Sequence, residues 1–139
     1  MKDYIIINGP NLNLLGVREP EIYGNENFED FVKKLNSEYD KIKIDYYQSN
    51  IEGEIINKLH EAGFSYKGII LNAGGYTHTS VAIADAISAI DTPVIEVHIS
   101  NIYAREEFRK TNLIASVCKG SISGLGLKGY SLAISSFEQ

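Results

Sequence analysis

Glu96 and His98 are the clearest candidates for acid–base chemistry. They lie two positions apart in the apolar segment 93–98, which is typical of a β-strand. Side chains at positions i and i+2 of a strand share a face, so the carboxylate can orient the imidazole or favour its protonated form. A histidine held in this way can donate a proton near neutral pH. A buried histidine that is merely satisfied by a neighbouring glutamate gives the same pattern, so the pair alone leaves both interpretations open.

Arginine is used sparingly and lies in two short polar segments. The chain has 13 basic residues, of which only Arg18, Arg105 and Arg109 are arginines. The planar guanidinium fork binds carboxylates and developing oxyanions in a way that a lysine does not, although solvated surface arginines remain the alternative. The 18 acidic residues give a formal net charge of −5, which argues against nucleic acid as a partner.

Segment 18–24 (REPEIYG) lies in the long connection after the first predicted strand, and we expect it to form a lid. It places Tyr23 near Arg18. A phenol with a reference pKa of about 10 acts as a base at pH 7 only if cations stabilise the phenolate. The shift of about three units requires about 4 kcal/mol, which one or two desolvated arginines can supply. The alternative is an exposed loop tyrosine beside an arginine.

Metal and nucleotide sites have little support. His78 and His98 lie on different connections without an i, i+4 partner, and the single cysteine, Cys118, excludes multi-cysteine metal sites and an intramolecular disulfide. The run 124–129 (GLGLKG) matches the dinucleotide-binding glycine pattern. That fingerprint belongs on the first βα turn and needs an acidic residue about 20 positions later, whereas only ten residues follow Gly129. Close packing of a helix on the sheet is the better interpretation.

The elements that must position these residues follow from hydrophobic periodicity. Strands are predicted over 4–8, 42–47, 67–72, 93–98 and about 115–120. Helices are predicted after the cap candidate Asn27, over 51–62 before Gly63, over about 77–90 and around 130–137, with a short fourth connection. Alternating helices and uninterrupted apolar strands predict one α/β domain, 1–139, with a flavodoxin-like three-layer sandwich and a five-stranded parallel sheet.

Polar residues collect where the predicted strands end. Ligands of such folds bind outside the carboxyl ends of the strands. Four of these ends are rich in amides, glycine and histidine: 8–11 (NGPN), 48–50 (QSN), 72–75 (NAGG) and 96–101 (EVHISN). Loops are ordinarily polar, but agreement among four strand ends indicates one shared site.

Together these motifs resemble type II 3-dehydroquinate dehydratase, also called type II dehydroquinase. The resemblance implies elimination of water from 3-dehydroquinate to give 3-dehydroshikimate, through an enolate, in the shikimate pathway of aromatic amino-acid biosynthesis. It also implies that neither a metal ion nor an organic cofactor takes part. The matching strings cover nearly the whole chain: 8–16 (NGPNLNLLG), 18–24 (REPEIYG), 48–50 with 52–53, 72–80 (NAGGYTHTS), 96–101 (EVHISN) and 104–109 (AREEFR).

The resemblance also implies catalytic roles. Tyr23 takes the proton next to the ketone, Arg18 lowers the phenol pKa and stabilises the transition state, and Arg105 adds positive potential. Asn11 holds a water against the enolate oxygen, an oxyanion-hole function. The acid that protonates the departing hydroxyl is His98, oriented by Glu96.

Substrate binding is implied for a second set of residues. A carboxylate cradle consists of Asn72 and the backbone amides of Ile99 and Ser100. His78 and Arg109 are similar to the ligands of the ring hydroxyls. The remaining members are Gly74 and Gly75, which let backbone approach the ligand, and Asp85, which reaches a neighbouring subunit's site.

The resemblance implies a homododecamer built from trimers. This sequence departs from the family pattern at one position that concerns contacts between subunits. Many family members carry arginine where this chain has Ala84, beside Asp85. The single cysteine and the lack of any apolar run near 18 residues predict a cytoplasmic protein that neither enters a membrane nor is exported.

Other functions of this fold fit less well. A response-regulator receiver needs clustered acidic residues after the first strand, and a flavin carrier needs a hydroxyl-rich phosphate loop there, whereas this chain has Asn8-Gly9-Pro10-Asn11. A degenerate relative that binds a small acid without turning it over is opposed by the presence of Tyr23, Arg18 and His98.

Overall fold

A computed structural model describes residues 1–17 and 26–139. Across these residues, parallel strands form a single sheet with the order β2-β1-β3-β4-β5, which confirms the predicted flavodoxin-like sandwich. Arg18 and Tyr23, and with them the expected lid, lie outside the described residues. The strands are β1 (Lys2–Asn8), β2 (Ile44–Gln48), β3 (Tyr66–Asn72), β4 (Val94–His98) and β5 (Gly120–Ser123), and the helices are α1 (Phe28–Glu38), α2 (Glu52–Ala62), α3 (Val81–Ala89) and α4 (Lys128–Phe137).

The sheet is buried on both faces, as parallel sheets are. Alternate residues of β1 point to opposite sides: Ile6 packs with α1 and α4, whereas Ile5 and Ile7 pack with α2 and α3. None of the helices in 1–17 and 26–139 combines the length and apolarity needed to cross a membrane.

Local chemistry explains where the helices begin and end. The Asn27 side chain accepts a hydrogen bond of 2.9 Å from the backbone nitrogen of Asp30, so it caps α1 as predicted. Gly63 ends α2, but its φ of −64° is open to any residue. Packing requires glycine at this position, because a Cβ there would overlap the side chain of Ile90.

Three predictions around the later elements need correction. The third helix begins at Val81 rather than near 77, because Gly74–His78 forms a 3-10 turn and Ser80 caps the helix through the nitrogen of Ile83. The connection from β4 to β5 is not short, since it runs over 99–119 and contains three 3-10 helices. The helix predicted over 51–62 begins at Glu52, and Ile51 is the exposed residue before it.

The fifth strand lies at 120–123, not at 115–120 as predicted. Residues Ala115–Val117 form a 3-10 helix because the Asn112 side chain accepts hydrogen bonds from the nitrogens of Ile114 and Ala115, at 3.0 and 2.9 Å. β5 is an edge strand that is at most half-buried, so it needs no apolar run, and its sequence is Gly-Ser-Ile-Ser.

Of the glycine run 124–129, Gly129 serves the predicted packing, whereas Gly124 and Gly126 have φ values of +87° and +62°. A Cβ on Gly129 would lie 3.1 Å from Cγ1 of Val97 and 3.4 Å from Cγ2 of Ile122. The glycine therefore lets α4 start close against β4 and β5.

Candidate active site

A cleft lies at the carboxyl edge of the sheet, where the sequence analysis predicts the site. The space between its walls is about 570 Å³, part of which is open solvent at the mouth. The loops that follow β1, β3 and β4 supply its walls. Its predicted members are Asn11, Asn72, Gly74, Gly75, His78, His98, Ile99, Ser100, Arg105 and Arg109.

Glu96 and His98 form the predicted pair. The carboxylate is fully buried, the imidazole is 5% exposed, and Nε2 of His98 lies 2.9 Å from Oε2 of Glu96. Burial opposes ionisation of Glu96, but hydrogen bonds and charge from His98, with further donors, outweigh it and hold the pKa of Glu96 below its usual value. Because Nε2 donates to the carboxylate, Nδ1 is the nitrogen left to exchange a proton with a ligand.

Two partners of Glu96 are not found by sequence reasoning. Asn112 donates from Nδ2 at 2.8 Å and Ser121 donates from Oγ at 2.5 Å, both to Oε1 of Glu96. Neither residue lies in a motif quoted above, and neither has a spacing relative to Glu96 that marks a contact. The only usable signal is the sheet order, which places β5 beside β4.

The Asn72 amide is held in one orientation. Its Oδ1 accepts from the nitrogen of Gly74 at 3.1 Å, and its Nδ2 donates to the hydroxyl of Tyr130 at 2.9 Å. That hydroxyl, fully buried under the cleft, donates onward to Oδ1 of Asn8 at 2.9 Å. Because a carboxamide nitrogen has two hydrogens, one remains to donate into the cleft, which fits a carboxylate ligand.

Asn11 has an uncommon backbone conformation. Its φ is +71°, in the left-handed region that asparagine tolerates better than most residues. Its nitrogen donates to Oδ1 of Asn50 at 3.0 Å, and Gln48 donates to the same oxygen at 3.1 Å. Residues from the ends of β1 and β2 thus fix the loop that carries the Asn11 side chain.

His78 is a neutral acceptor in this arrangement. Desolvation lowers its pKa and outweighs the opposing hydrogen bond to the Thr111 carbonyl, so the ring is uncharged at pH 7. Its Nδ1 donates to the Thr111 carbonyl oxygen at 2.7 Å. This contact fixes the tautomer and leaves Nε2 as an acceptor, the role that a ligand hydroxyl requires.

Both described arginines of the cleft are held in place. Arg105 donates from Nη1 to the Ser100 hydroxyl at 3.3 Å. Arg109 donates to Glu106 at 2.8 Å and lies 4.9 Å from the centre of the Phe108 ring. The Arg109 hydrogen bond is the main reason that the pKa of Glu106 falls to about 2. The cleft thus has a positive wall in a protein whose net charge is −5.

Asp85 does not lie with the other predicted residues. It is exposed on α3, and the cleft lining in the described part of the chain does not include it. Of the small residues near it, Ala82 and Ala89 are exposed, whereas Ala86 is buried in the core.

Comparisons with known proteins agree on one family. The model of "Dehydroquinase class II" matches residues 2–138. The chain belongs to the class II dehydroquinase family. It is 51% identical to the 3-dehydroquinate dehydratase of Caldicellulosiruptor bescii over 142 residues, covering 100% of this chain and 98% of that one. It is 56% identical to the enzyme of that name from Fusobacterium nucleatum over 135 residues, covering 94% and 92% of the two chains.

A solved structure extends the likeness to three dimensions. The crystal structure of the type II dehydroquinase from Butyrivibrio crossotus superposes with a TM-score of 0.94 at 48% identity, covering 99% of this chain and 98% of that one. The class II dehydroquinase fold therefore carries the cleft described above.

Gly74 and Gly75 allow a matched test of the cleft's backbone. Gly74 has a φ of +58°, and a Cβ there would lie 3.1 Å from the Pro10 carbonyl oxygen, so Gly74→Ala should lower the free energy of unfolding by about 1–2 kcal/mol. At Gly75 a Cβ meets nothing within 4 Å, so Gly75→Ala should stay within about 0.5 kcal/mol of wild type. Urea denaturation measures both.

Because Gly75 lines the cleft, its new methyl group should raise KM for the substrate while stability is kept. Equal destabilisation by both alanines, or an unchanged KM in Gly75→Ala, would contradict this description of the two glycines.

Proposed function

We propose that this cleft eliminates water from 3-dehydroquinate to give 3-dehydroshikimate, in line with the family to which the chain belongs, and that 1–139 acts as one catalytic domain. The observation that carries the proposal is the buried Glu96–His98 pair beside a positive wall. The substrate is a carboxylate and the intermediate an enolate. Both are anions, and a net acidic protein needs local cations to bind them.

The cradle for the substrate carboxylate is proposed to be Asn72 with the backbone nitrogens of Ile99 and Ser100. All three residues line the cleft, and Asn72 is oriented from behind by Tyr130. Neutral His78 accepts a hydrogen bond from a ring hydroxyl, and Arg109 donates to another. Donors and acceptors thus match a ligand that carries both a carboxylate and hydroxyls.

Proton transfer is proposed to use two residues. Tyr23, with Arg18 stabilising its phenolate, removes the proton next to the ketone, and both residues are assigned by the family motif at 18–24. His98, protonated at Nδ1 and oriented by Glu96, donates a proton to the departing hydroxyl. The electron pair of the broken C–H bond forms the enolate and then the new double bond as the C–O bond breaks.

The enolate is proposed to be stabilised without a metal ion. Asn11 holds a water against the enolate oxygen, and Arg105 adds positive potential. In the described residues, no group of three or more histidine, cysteine, aspartate or glutamate side chains could hold a metal ion. An organic cofactor has no assigned step.

Turnover tests the proposal directly. Purified protein mixed with 3-dehydroquinate should produce the ultraviolet absorbance of a conjugated enone, and exhaustive treatment with EDTA should leave the rate unchanged because no step uses a metal. Loss of turnover that a divalent ion restores would overturn the metal-free mechanism. Binding of 3-dehydroquinate without any absorbance change would indicate a degenerate relative.

The assembly is proposed to be a dodecamer built from trimers, with Asp85 completing the site of a neighbouring subunit. Its exposure on α3, next to exposed Ala82, Ala89 and Val81, supports a contact between copies. Sedimentation should give the mass of twelve chains, and Asp85→Ala should raise KM. A fully active monomer, or an Asp85→Ala variant with unchanged KM, would show that each chain builds its own site.

A cytoplasmic location is also proposed. The thiol of Cys118 is free and half-buried, as expected in a reducing compartment. Cell fractionation tests it, and recovery of the protein in a membrane or exported fraction would refute it.

A further inference from the structure

The Glu96 carboxylate is surrounded by three donors. Oε2 faces His98 at 2.9 Å, while Oε1 accepts from Asn112 at 2.8 Å and from Ser121 at 2.5 Å. The carboxylate is fully buried. A buried charge without partners is strongly disfavoured, so these donors decide whether Glu96 stays ionised.

The two additional donors are themselves fixed by the fold. Oδ1 of Asn112 accepts from the nitrogens of Ile114 and Ala115, so the amide cannot flip without losing both bonds, and its NH2 group must point at Glu96. Ser121 is the residue of β5 that lies in register with Glu96 of β4. A connecting loop and an edge strand therefore converge on one carboxylate oxygen.

We propose that Asn112 and Ser121 are positioning residues for the dehydration, which hold Glu96 ionised and aligned so that His98 keeps its charge and presents Nδ1 to the substrate. The proposal rests on the acid role of His98 given above. Neither residue touches the substrate. Each acts through Glu96, and through it sets the pH range over which His98 can serve as an acid.

Apart from Tyr23, whose deprotonation as the proposed base governs the acidic limb, the titratable groups around the pair in the described residues do not change charge on the alkaline side of neutral pH. Burial and the Glu96 charge raise the pKa of the Cys118 thiol to about 12, so it stays neutral. Desolvation lowers the pKa of His78, which approaches from the turn after β3. Arg105 and Arg109, on the connection after β4, remain cationic. A shift in the alkaline limb of the rate profile can therefore be assigned to the His98 pair.

Asn112→Asp is the decisive variant. It keeps the acceptor for the nitrogens of Ile114 and Ala115 but replaces the donor with a carboxylate oxygen beside Oε1 of Glu96. The added negative charge should move the alkaline limb of kcat upward by about one pH unit or more. Part of the proton then resides on the paired carboxylates, so the maximal kcat should fall, but by less than the roughly 100-fold loss expected on removing a general acid.

Ser121→Ala and Ser121→Thr form a second, milder pair. Removing the Ser121 hydroxyl takes one donor away from Glu96, so the carboxylate charge acts more strongly on His98. The alkaline limb of the kcat profile should therefore move upward, by less than in Asn112→Asp. Threonine keeps the hydroxyl and suits a β-strand, so it should restore the wild-type profile. Asn57→Asp, on the exposed side of α2, introduces the same charge far from the pair and should leave the profile unchanged.

The readouts are the pH profile of kcat with 3-dehydroquinate and the NMR titration of 13C-labelled histidine in the ligand-free protein. The chain has three histidines, and His98→Gln identifies the His98 signal. Upward shifts of both readouts in Asn112→Asp, absent in Asn57→Asp, are expected. A lower kcat with both readouts unshifted is what a merely structural contact gives, and it would overturn the proposal.

Separate control experiments cover misfolding of a variant and failure of the proposed function. If thermal melting shows that Asn112→Asp is unfolded, the titrations of Ser121→Ala and Ser121→Thr decide by the same criterion. If the protein does not turn over 3-dehydroquinate, the proposed function fails, but the NMR titration still tests whether Asn112 and Ser121 control the His98 pair.

Discussion

Glu96 places an ionised carboxylate in the protein interior, and much of the surrounding structure serves to keep it there. Its two oxygens are satisfied by His98 of the same strand, Ser121 of β5 and Asn112 of the preceding connection. Loss of these donors would leave a buried charge with a desolvation penalty of several kcal/mol. The register of the edge strand and the path of the 99–119 connection are therefore coupled to the state of a single acid–base pair.

The same edge of the sheet collects the opposite charge. In a chain with a net charge of −5, Arg105 and Arg109 are held on the wall of the cleft by Ser100 and Glu106. Glu106 offsets part of this charge but lies at the surface, where solvent screens it. Parallel strands make this concentration possible because their carboxyl ends all meet at one edge. The amides of Asn11 and Asn72 and the neutral imidazole of His78 then provide directional hydrogen bonds. They add no negative charge that would repel an anionic ligand.

Sequence reasoning predicted the fold well where one physical rule dominated. Continuous apolar runs marked β1, β3 and β4 because these strands are buried on both faces, and the Asn27 cap marked the start of α1. It failed at β5, because a half-exposed edge strand can be Gly-Ser-Ile-Ser, while the apolar residues before it pack into the core that the sheet forms with α2 and α3. It also began α3 too early, since hydrophobic periodicity does not distinguish a 3-10 turn from a helix.

Sequence reasoning predicted only part of the candidate site, because only some of its contacts follow from local spacing or from the sheet topology. Residues at strand ends were found because topology places them at one edge, and the Glu96–His98 pair was found because its spacing is local. Asn112, Ser121 and Tyr130 were missed because their contacts depend on how distant segments return to the sheet. Asp85 was assigned through family resemblance alone, and nothing in its spacing marks its exposed position.

The measurement that most directly tests the assigned chemistry is hydrogen exchange at C2 of 3-dehydroquinate in deuterated water, followed by NMR alongside product formation, with His98→Ala. If another residue removes the C2 proton and His98 acts only on the departing hydroxyl, exchange should continue in this variant while product formation falls by about 100-fold or more. Equal loss of exchange and product formation would place His98 in the first proton transfer and contradict the account.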